Sequence, residues 1–272
     1  MFRADLHCHS TCSDGTLSPV EIVELAKERG LSGLSITDHD CIDAYETAIP
    51  AAKKAGIRLG NGVEFSSVDQ RVSVHVLGYD FDLEDKGIAD FCRRHIERRK
   101  DRNHKIFEKL KSHGMEINPE KLEEKMEEGR PVGRPHIAQA LMEKGYVSDV
   151  KEAFYKWIGD GKPCYDPGFS ISTDETIAVI HNAGGKAFIA HPHLMRRPQI
   201  VTDLLKKPFD GIEGYYSKCS PDREARWVRV AKERNLLISG GSDFHGAIKP
   251  AIALGCSWVG QEMFGKIFQR AL

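Results

Sequence analysis

The chain has 272 residues, of which 40% are hydrophobic and 29% are charged, and 39 basic residues nearly balance 40 acidic ones. This composition is too apolar for a disordered chain and too evenly charged for an acidic or basic tail protein. No stretch reaches the roughly 18 consecutive apolar residues of a membrane-spanning helix. Residues 1–20 lack the apolar run of a secretory signal, so we expect a cytoplasmic protein that does not act at a membrane.

Two residue types bear on the chemistry, since the chain has 12 His and 7 Cys. The cysteines form no C-x-x-C pair, so we expect reduced thiols rather than a zinc ribbon or a disulfide framework. Histidine is the commonest metal ligand and the usual proton carrier near pH 7. The histidines are therefore the first candidates for functional residues.

Short apolar segments alternate with helical ones in the first third of the chain. Ser18-Pro19-Val20-Glu21 has the residues of a capping box, which predicts a helix that begins there and ends at Gly30. A second helix is predicted from about 43 to 55, where we expect Pro50 to split it. Around these helices, the apolar pattern predicts strands at residues 3–7, 32–37, 57–64 and 72–78. A short link joins the last two strands, which favours a hairpin.

Residues 96–167 differ from the rest, because they are rich in charge and poor in strand formers. This stretch is predicted to be helical. Alternation returns after a second capping-box pattern that begins at Ser172, and strands are predicted at 186–191, 210–215 and 236–240. Together the segments predict an α/β barrel of residues 1–95 and 168–272, interrupted by a helical insertion at 96–167.

The first predicted strand leads into Asp5-Leu6-His7-Cys8-His9. Alternate side chains of a strand share a face, so His7 and His9 point the same way and can chelate one divalent ion. Asp5 lies on that face as well and would hold a ring N–H of a ligating histidine. Two solvated loop histidines are the alternative, and this pair alone does not decide between them.

Other predicted strands end in the same residue types. The later motifs are Thr37-Asp38-His39-Asp40, Val63-Glu64-Phe65, Val74-His75-Val76, Ala190-His191-Pro192-His193 and Gly241-Ser242-Asp243-Phe244-His245. A lone strand histidine is more often a packed core residue. In barrel folds, however, the carboxyl ends of the strands form one face, where active sites are built. Hydrophobic alternation requires none of these polar residues, so a shared metal site explains them together.

These motifs resemble those of the PHP family, named for polymerase and histidinol phosphatase. The resemblance extends over nearly the full chain, through D-L-H-C-H-S-T-C-S-D-G, I-T-D-H-D, G-V-E-F-S, A-H-P and G-S-D-F-H. The segment V-G-R-P-H-I-A at 132–138, with G-K-P at 161–163, resembles one branch of the family. That branch contains nucleoside 3′,5′-bisphosphate phosphatases, nucleotide phosphatases and exoribonucleases of the RNase AM type. The resemblance implies a distorted (β/α)7 barrel with a helical insertion.

The resemblance also implies three divalent ions held by overlapping groups of ligands. The groups are His7, His9, Glu64 and Asp243 for the first ion, Glu64, His75 and His191 for the second, and Asp14, His39 and His245 for the third. Nitrogen and oxygen ligands without thiolate suit Mn²⁺, Zn²⁺ or Fe²⁺. The resemblance favours Mn²⁺ among them.

This ligand set predicts the hydrolysis of a phosphate ester. Clustered divalent ions neutralise the phosphoryl oxygens and lower the pKa of bound water from about 15.7 to roughly 7. The resemblance implies that a hydroxide held between metals attacks phosphorus, with Asp243, His39 and His245 as the catalytic residues. Asp243 would take the proton of the water, and the third metal or a protonated side chain would stabilise the leaving alkoxide.

Four further residues, Arg134, His136, Lys162 and His193, are candidate substrate contacts. Arginine makes planar two-point contacts to phosphate, and the insertion would close over the metals and present the first three residues to the substrate. A capped helix start is the alternative for Arg134 and His136. His193 is either the proton donor to the leaving group or an ordinary loop residue.

The charge pattern leaves the type of substrate partly open. The basic run at 93–111 is typical of a solvated helix face, and a patch for short RNA is the alternative. The near-neutral net charge argues against binding to duplex DNA. We predict a phosphoesterase for nucleoside 3′,5′-bisphosphates or 5′-nucleotides, with short 5′-phosphorylated RNA as a further substrate. Histidinol phosphatase and a non-catalytic metal-binding module are the alternatives.

Overall fold

A computed structural model describes residues 1–127, 130–195 and 197–270. The chain divides into two units, of which the first combines Met1–Phe91 with the chain from Ile171 onward and the second comprises Cys92–Ser170. None of the described helices is long and apolar enough to cross a membrane.

The strands described in the first unit form two sheets. They are β1 (Ala4–Asp5), β2 (Gly33–Leu34), β3 (Arg58–Leu59), β4 (Gly62–Asp69), β5 (Val72–Tyr79), β6 (Lys186–Ile189), β7 (Gly211–Tyr216) and β8 (Leu237–Gly241). The sheet β1-β2-β3 is parallel, and the second sheet has the order β4-β5-β6-β7-β8. In that sheet β5 is antiparallel to both neighbours, whereas β6, β7 and β8 are parallel. The predicted hairpin is therefore confirmed as β4 and β5.

Two parallel backbone bridges connect the sheets. His39 pairs with Glu64 after β2, and Cys8 pairs with Phe244 after β8. One bridge joins the segment after β2 to β4, and the other joins the segments after β1 and β8, and the sequence motifs lie at these junctions.

The helices alternate with the strands in the first unit and make up most of the second. They are α1 (Pro19–Glu28), α2 (Ala44–Ala55), α3 (Lys86–Ser112), α4 (Glu120–Glu127), α5 (Arg134–Glu143), α6 (Val150–Ala153), α7 (Thr173–Asn182), α8 (Pro198–Leu204), α9 (Pro221–Glu233) and α10 (Gln261–Ile267). The capping box predicted for α1 is confirmed, because Ser18 Oγ accepts from the amide of Glu21 and the Glu21 carboxylate accepts from the amide of Ser18.

Helix α2 continues through Pro50, so the predicted split is wrong. Proline removes one amide donor and deprives the carbonyl four residues earlier of its partner. That carbonyl belongs to Glu46, which is exposed like Pro50, whereas Ala48 and Ala52 are buried. Water can therefore replace the missing hydrogen bond without disturbing the buried face.

The strand predicted at 57–64 is in fact two strands that belong to different sheets. The chain changes sheet at Gly60, where an added Cβ would lie 2.4 Å from the ring of Phe268. Apolar periodicity alone did not indicate this change, because both halves are buried. The register of β4 places Glu64 beside His39.

The second unit has its own apolar core, in which Ile106, Leu110, Ile137, Leu141 and Ile158 are fully buried. Its helices α4, α5 and α6 confirm the helical prediction for this stretch. A π-helical turn at Phe154–Ile158 follows α6.

Part of the basic run on α3 is buried, contrary to the prediction of a solvated face. Arg98, Arg99 and Arg102 are 5 to 7% exposed. Arg98 donates to the carbonyl oxygens of Phe169 and Pro167 at 2.6 and 3.0 Å. A buried guanidinium needs several acceptors, and here carbonyl groups at the end of the second unit supply them.

Candidate metal centre

All nine candidate ligands lie in the first unit, on β4 and β5 or in the segments that follow other strands. His7 and His9 are fully buried and Glu64 is 1% exposed. Asp14, Asp243 and His245 are buried as well, and the other three, His39, His75 and His191, are partly exposed. The sequence motifs thus converge on one largely buried place.

Backbone hydrogen bonds fix the first two histidines opposite the last strand. The amide of Asp243 donates to the carbonyl of His7 at 2.7 Å, and the amide of His9 donates to the carbonyl of Phe244 at 2.9 Å. Gly241 permits this approach, because a Cβ there would lie 2.4 Å from the backbone nitrogen of His7.

The loop between His9 and α1 is anchored by Asp38, which is buried. The Asp38 carboxylate accepts from the amide of Ser10 at 2.7 Å and from the hydroxyls of Ser10 and Ser13, each at 2.5 Å. Gly15 closes the loop, since a Cβ there would lie 2.1 Å from the carbonyl oxygen of His9. Asp38 therefore positions this loop rather than facing the centre.

Glu64 lies at the middle of the cluster and faces five histidine rings. Its Oε2 is 3.2 Å from His39 Nδ1, 3.3 Å from His9 Nε2 and 3.4 Å from His7 Nε2, and its Oε1 is 2.8 Å from His75 Nδ1 and 2.9 Å from His191 Nε2. Its two oxygens thus face different histidines, as expected for a ligand shared between ions.

Asp243 is the second carboxylate of the centre. Its Oδ1 lies 3.2 Å from His9 Nε2, 3.4 Å from His245 Nδ1 and 3.5 Å from His7 Nε2. Its Oδ2 accepts from the Tyr216 hydroxyl at 2.5 Å and from Lys249 Nζ at 2.6 Å. One oxygen is therefore directed at the histidines while the other is held by two donors.

The ligand atoms fall into three groups, each with its members' atoms within 4.8 Å of one another. The groups are His9, Asp14, His39 and His245; His7, His9 and Asp243; and His39, Glu64 and His75. His9 and His39 occur in two groups each, so the groups overlap. The arrangement suits divalent ions bound side by side.

The spacing within the cluster fits metal binding better than hydrogen bonding. Among the described residues, the buried Nε2 atoms of His7 and His9 and Nδ1 of His39 have no hydrogen-bond partner. Carboxylate oxygens nevertheless lie 3.2 to 3.5 Å from these nitrogens. Two ligands about 2.1 Å from one ion, at tetrahedral to octahedral angles, are about 3.0–3.4 Å apart. The observed distances therefore match ligands of a shared ion.

The electrostatics of the cluster favour a cation. Burial raises the pKa of Glu64 and of Asp243, but the surrounding histidines, and Lys249 beside Asp243, more than compensate and hold both pKa values well below the usual range. Burial lowers the pKa of His9, yet Asp243 and Glu64 raise it to about 9. The buried negative charge thus attracts positive charge to this point, as a proton or as a metal ion.

Two other histidines are already in the form that binds a metal. Burial lowers the pKa of His39 to about 3 and that of His245 to about 4. Both rings are therefore neutral near pH 7, and a neutral imidazole is what a metal ion requires.

Glu213 on β7 is a site residue that the sequence motifs did not reveal. It is 1% exposed, its Oε1 accepts from His7 Nδ1 at 2.8 Å, and its Oε2 accepts from the amide of His191 at 2.7 Å. The expectation for Asp5 is wrong, because its carboxylate accepts from the backbone amides of His7, Ser242 and Gly255 instead. A carboxylate within a buried strand was the signal that could have indicated Glu213.

Tyr216 and Lys249 were also missed, although both contact Asp243. Tyr216 ends β7, where an aromatic residue is typical of the core. Lys249 follows the G-S-D-F-H motif closely, but a lone lysine in a loop carries no signal without the distance to Asp243.

Three residues of the motifs have left-handed backbone conformations. They are Asp40, His191 and Asp243, with φ of 57°, 27° and 54°. Such residues cost about 1–3 kcal/mol each and persist where other contacts hold them. Ser66 donates its amide to the Asp40 carboxylate at 2.7 Å, and Glu213 holds the amide of His191. These hydrogen bonds therefore help to hold a strained backbone conformation next to the candidate ligands.

Arg134 and His136 begin α5 in the second unit. Arg134 Nη1 forms an ion pair with Asp160 at 2.7 Å, and its guanidinium lies 5.3 Å from the centroid of the Tyr165 ring. Nδ1 of His136 accepts from the amide of Gly133 at 3.0 Å. These contacts organise the start of a helix, and a phosphate contact by either residue stays a prediction.

Lys162 and His193 lie in different units. Lys162 Nζ is 4.6 Å from the centroid of the exposed Tyr155 ring in the second unit. His193 lies in the short turn Pro192–Leu194 of the first unit, with its ring centroid 4.4 Å from that of Tyr216. Burial lowers the pKa of His193 to about 4, which favours the neutral imidazole near pH 7, and a role for His193 as proton donor stays a prediction.

Comparison with known proteins extends these observations. The sequence profile of the PHP domain matches residues 5–158. The chain is 33% identical over 260 residues to the 5′-3′ exoribonuclease Rnm of Escherichia coli, covering 92% of this chain and 87% of that relative. It is 32% identical over 250 residues to the 3′,5′-nucleoside bisphosphate phosphatase of Chromobacterium violaceum, covering 90% and 88%. A solved structure from Bifidobacterium adolescentis, described as a candidate metal-dependent phosphoesterase, matches with a TM-score of 0.87 and 31% identity, covering 97% of this chain and 94% of that one.

Proposed function

Because the chain belongs to the PHP domain family, we propose that it is a metal-dependent phosphoesterase that hydrolyses phosphate monoesters of nucleotides. Its substrates are nucleoside 3′,5′-bisphosphates or 5′-nucleotides. The observation that carries this proposal is the position of Glu64, whose two oxygens face five histidine rings. A relative named as a nucleoside bisphosphate phosphatase supports the choice of substrate class.

We infer that three divalent ions bind, with Mn²⁺ as the preferred metal. The three ligand groups of the centre would hold them, and His191 would add a ligand through its place beside Glu64. The nitrogen and carboxylate donors suit Mn²⁺, Zn²⁺ or Fe²⁺. When bound, such ions neutralise phosphoryl oxygens and lower the pKa of a bound water to about 7.

The residues around Asp243 supply the remaining functional groups. The low pKa of Asp243 keeps it ionised, so it serves better as a fixed negative charge than as a group that retains a proton. Burial and the neighbouring Asp243 raise the pKa of Tyr216, so its phenol stays protonated and donates to the carboxylate. Lys249, 2.6 Å from Asp243, adds a positive charge at the centre that would attract an anionic phosphate group. His39 and His245 act as neutral ligands.

The two sheets support a single distorted (β/α)7 barrel, formed by 1–95 and 168–272, with 96–167 as a helical insertion. The bridges His39–Glu64 and Cys8–Phe244 support closure between the sheets, and the antiparallel β5 accounts for the distortion. Within the insertion, Arg134, His136 and Lys162 are the proposed contacts for the substrate phosphate.

A phosphate-release assay with added Mn²⁺ tests the proposed function. Adenosine 3′,5′-bisphosphate, AMP, histidinol phosphate and a 5′-phosphorylated RNA dinucleotide are compared at equal concentration. We expect the adenosine nucleotides to be hydrolysed faster than histidinol phosphate. The proposal is wrong if histidinol phosphate is the best substrate, and a non-catalytic module is indicated if the metal-loaded protein hydrolyses none of the four.

Exonuclease action on short RNA is a second candidate for the same centre, because both reactions break a P–O bond at phosphorus. The 33% identity to a 5′-3′ exoribonuclease over 92% of this chain favours it. In the same assay, release of mononucleotides from the RNA dinucleotide would support this activity.

A further inference from the structure

A pocket of about 220 Å³ lies beside the metal centre within the first unit. Its lining includes Pro192 and His193, which directly follow the candidate ligand His191, and residues of α9. Two residues of extended chain span at most about 7 Å, so the pocket begins close to this ligand.

His193 connects the pocket to the reacting centre. Its ring lines the pocket and packs against the ring of Tyr216, with centroids 4.4 Å apart. The Tyr216 hydroxyl in turn donates to Asp243 at 2.5 Å. A ligand that fills the pocket therefore has one end next to the residues that hold Asp243.

Two arginines of α9, Arg223 and Arg226, line the same pocket. Three residues apart, they lie on one face of the helix, and no described acidic side chain forms an ion pair with either of them. The Arg226 guanidinium lies over the ring of Trp227, 4.9 Å from its centroid, which restricts its orientation. The nearby Glu224 accepts from the amide of Tyr216.

The lining of the pocket indicates the chemistry of its ligand. Met195, Val201 and the buried Trp227 supply apolar surface. Guanidinium groups without a carboxylate partner bind phosphate through planar two-point contacts. The combination suits a phosphate group carried on a less polar framework, such as a ribose with its base.

We propose that this pocket binds a second phosphate group of the substrate, the one that is not hydrolysed, and that Arg223 and Arg226 contact it. This inference rests on the proposed function. The second phosphate is either the other terminal phosphate of a nucleoside 3′,5′-bisphosphate or the phosphodiester that follows the 5′ end of a short RNA. AMP carries no second phosphate and does not use this contact.

Steady-state kinetics of the Mn²⁺-loaded enzyme test the proposal with three substrates and two variants. The test variant is Arg223→Gln/Arg226→Gln, and the matched control is Arg229→Gln, an exposed position of the same helix outside the pocket lining. We expect the test variant to raise KM for adenosine 3′,5′-bisphosphate by about tenfold or more, as for lost hydrogen bonds to a charged group. KM for AMP stays within about twofold, and the control leaves both constants unchanged.

The third substrate, a 5′-phosphorylated RNA dinucleotide, distinguishes the two sources of the phosphate. A raised KM for the dinucleotide supports a phosphodiester in the pocket, and a raised KM for the bisphosphate alone supports a terminal phosphate. Equal changes for AMP and the bisphosphate, or no change beyond that of the control, overturn the proposal.

Failure of the proposed function has a different signature. In that case the wild-type enzyme hydrolyses none of the nucleotides, and the intact bisphosphate can be titrated into the metal-loaded protein by calorimetry. A Kd at least tenfold weaker for the test variant than for Arg229→Gln still supports the pocket. Equal Kd values refute it.

Discussion

Two buried carboxylates of the first unit, Asp80 and Glu64, have opposite surroundings. Asp80 is 2% exposed and accepts from Lys186 Nζ at 2.9 Å and from the amides of Arg270 and Gln269 at 2.9 and 3.1 Å. Glu64 is 1% exposed and faces five histidine rings, three of them beyond hydrogen-bond geometry. Asp80 is thus neutralised within the chain, whereas the cluster around Glu64 suits an added cation.

The difference shows how to distinguish a structural buried charge from a functional one. A structural carboxylate obtains donors at hydrogen-bond distance from its own chain, because an unpaired buried charge is costly. A metal centre instead gathers ligands at the longer spacing that an ion between them imposes. The two carboxylates are almost equally buried, so the distances to their partners distinguish them and burial does not.

The largest effect is expected from Asp243, the second carboxylate of the centre. Asp243→Asn removes a charged candidate ligand, so we expect the turnover rate to fall by more than about 100-fold. Replacing a residue that only hydrogen-bonds to a metal ligand typically costs about 10–100-fold. Initial rates of phosphate release measure the effect, and circular dichroism checks that the fold survives. A rate within a few-fold of the wild type would exclude Asp243 from the centre.

The opposite result is expected at Asp80. Asp80→Asn keeps the side-chain shape and the left-handed backbone, at φ 55°, which asparagine tolerates. It removes the charged partner of Lys186, whose Nζ then keeps, among the described residues, only its hydrogen bond to the carbonyl of Ile267, so we expect a loss of about 3 kcal/mol in the free energy of unfolding. Urea denaturation measures this loss. The turnover rate of the folded variant should equal that of the wild type, and a reduced rate would contradict a purely structural role.

Metal removal should affect the two carboxylates differently. If Mn²⁺ is present at about 100 times its Kd, chelation should lower Tm of the wild type by about 5–10 °C. Asp80→Asn should show the same decrease from its lower starting Tm. Glu64→Gln should show a much smaller one, because it lacks the shared ligand. An equal decrease in all three proteins would show that the ions bind elsewhere.

A smaller effect is expected from Glu213, which positions His7 and His191 without joining a ligand group. Glu213→Gln preserves the size of the side chain but weakens its contact with His7 Nδ1. We expect Mn²⁺ affinity to fall by about 10–100-fold, as measured by calorimetric titration. An unchanged affinity would mean that backbone hydrogen bonds alone suffice to orient His7.

Some ligands of the metal centre could be predicted because their positions follow from local periodicity. His7 and His9 lie on one side of a strand end, and five motifs in order place the other ligands after strands. Pro50 shows a limit of local rules, since the effect of a helix breaker depends on which side of the helix faces water. The buried arginines of α3 show another, because the pattern of charge does not reveal which side of a long helix is covered.

The sequence by itself determined the candidate ligand types, their order and the largely helical character of the described part of the second unit, because these depend on residue identity and on local periodicity. Tertiary structure decided which carboxylate stands behind His7, which donors hold Asp243 and which arginines lack an acidic partner. Glu213 is 206 residues away from His7 along the chain, and no periodic pattern extends that far. Such pairs are set by the register between strands and by the junction of the two sheets, which only the folded chain defines.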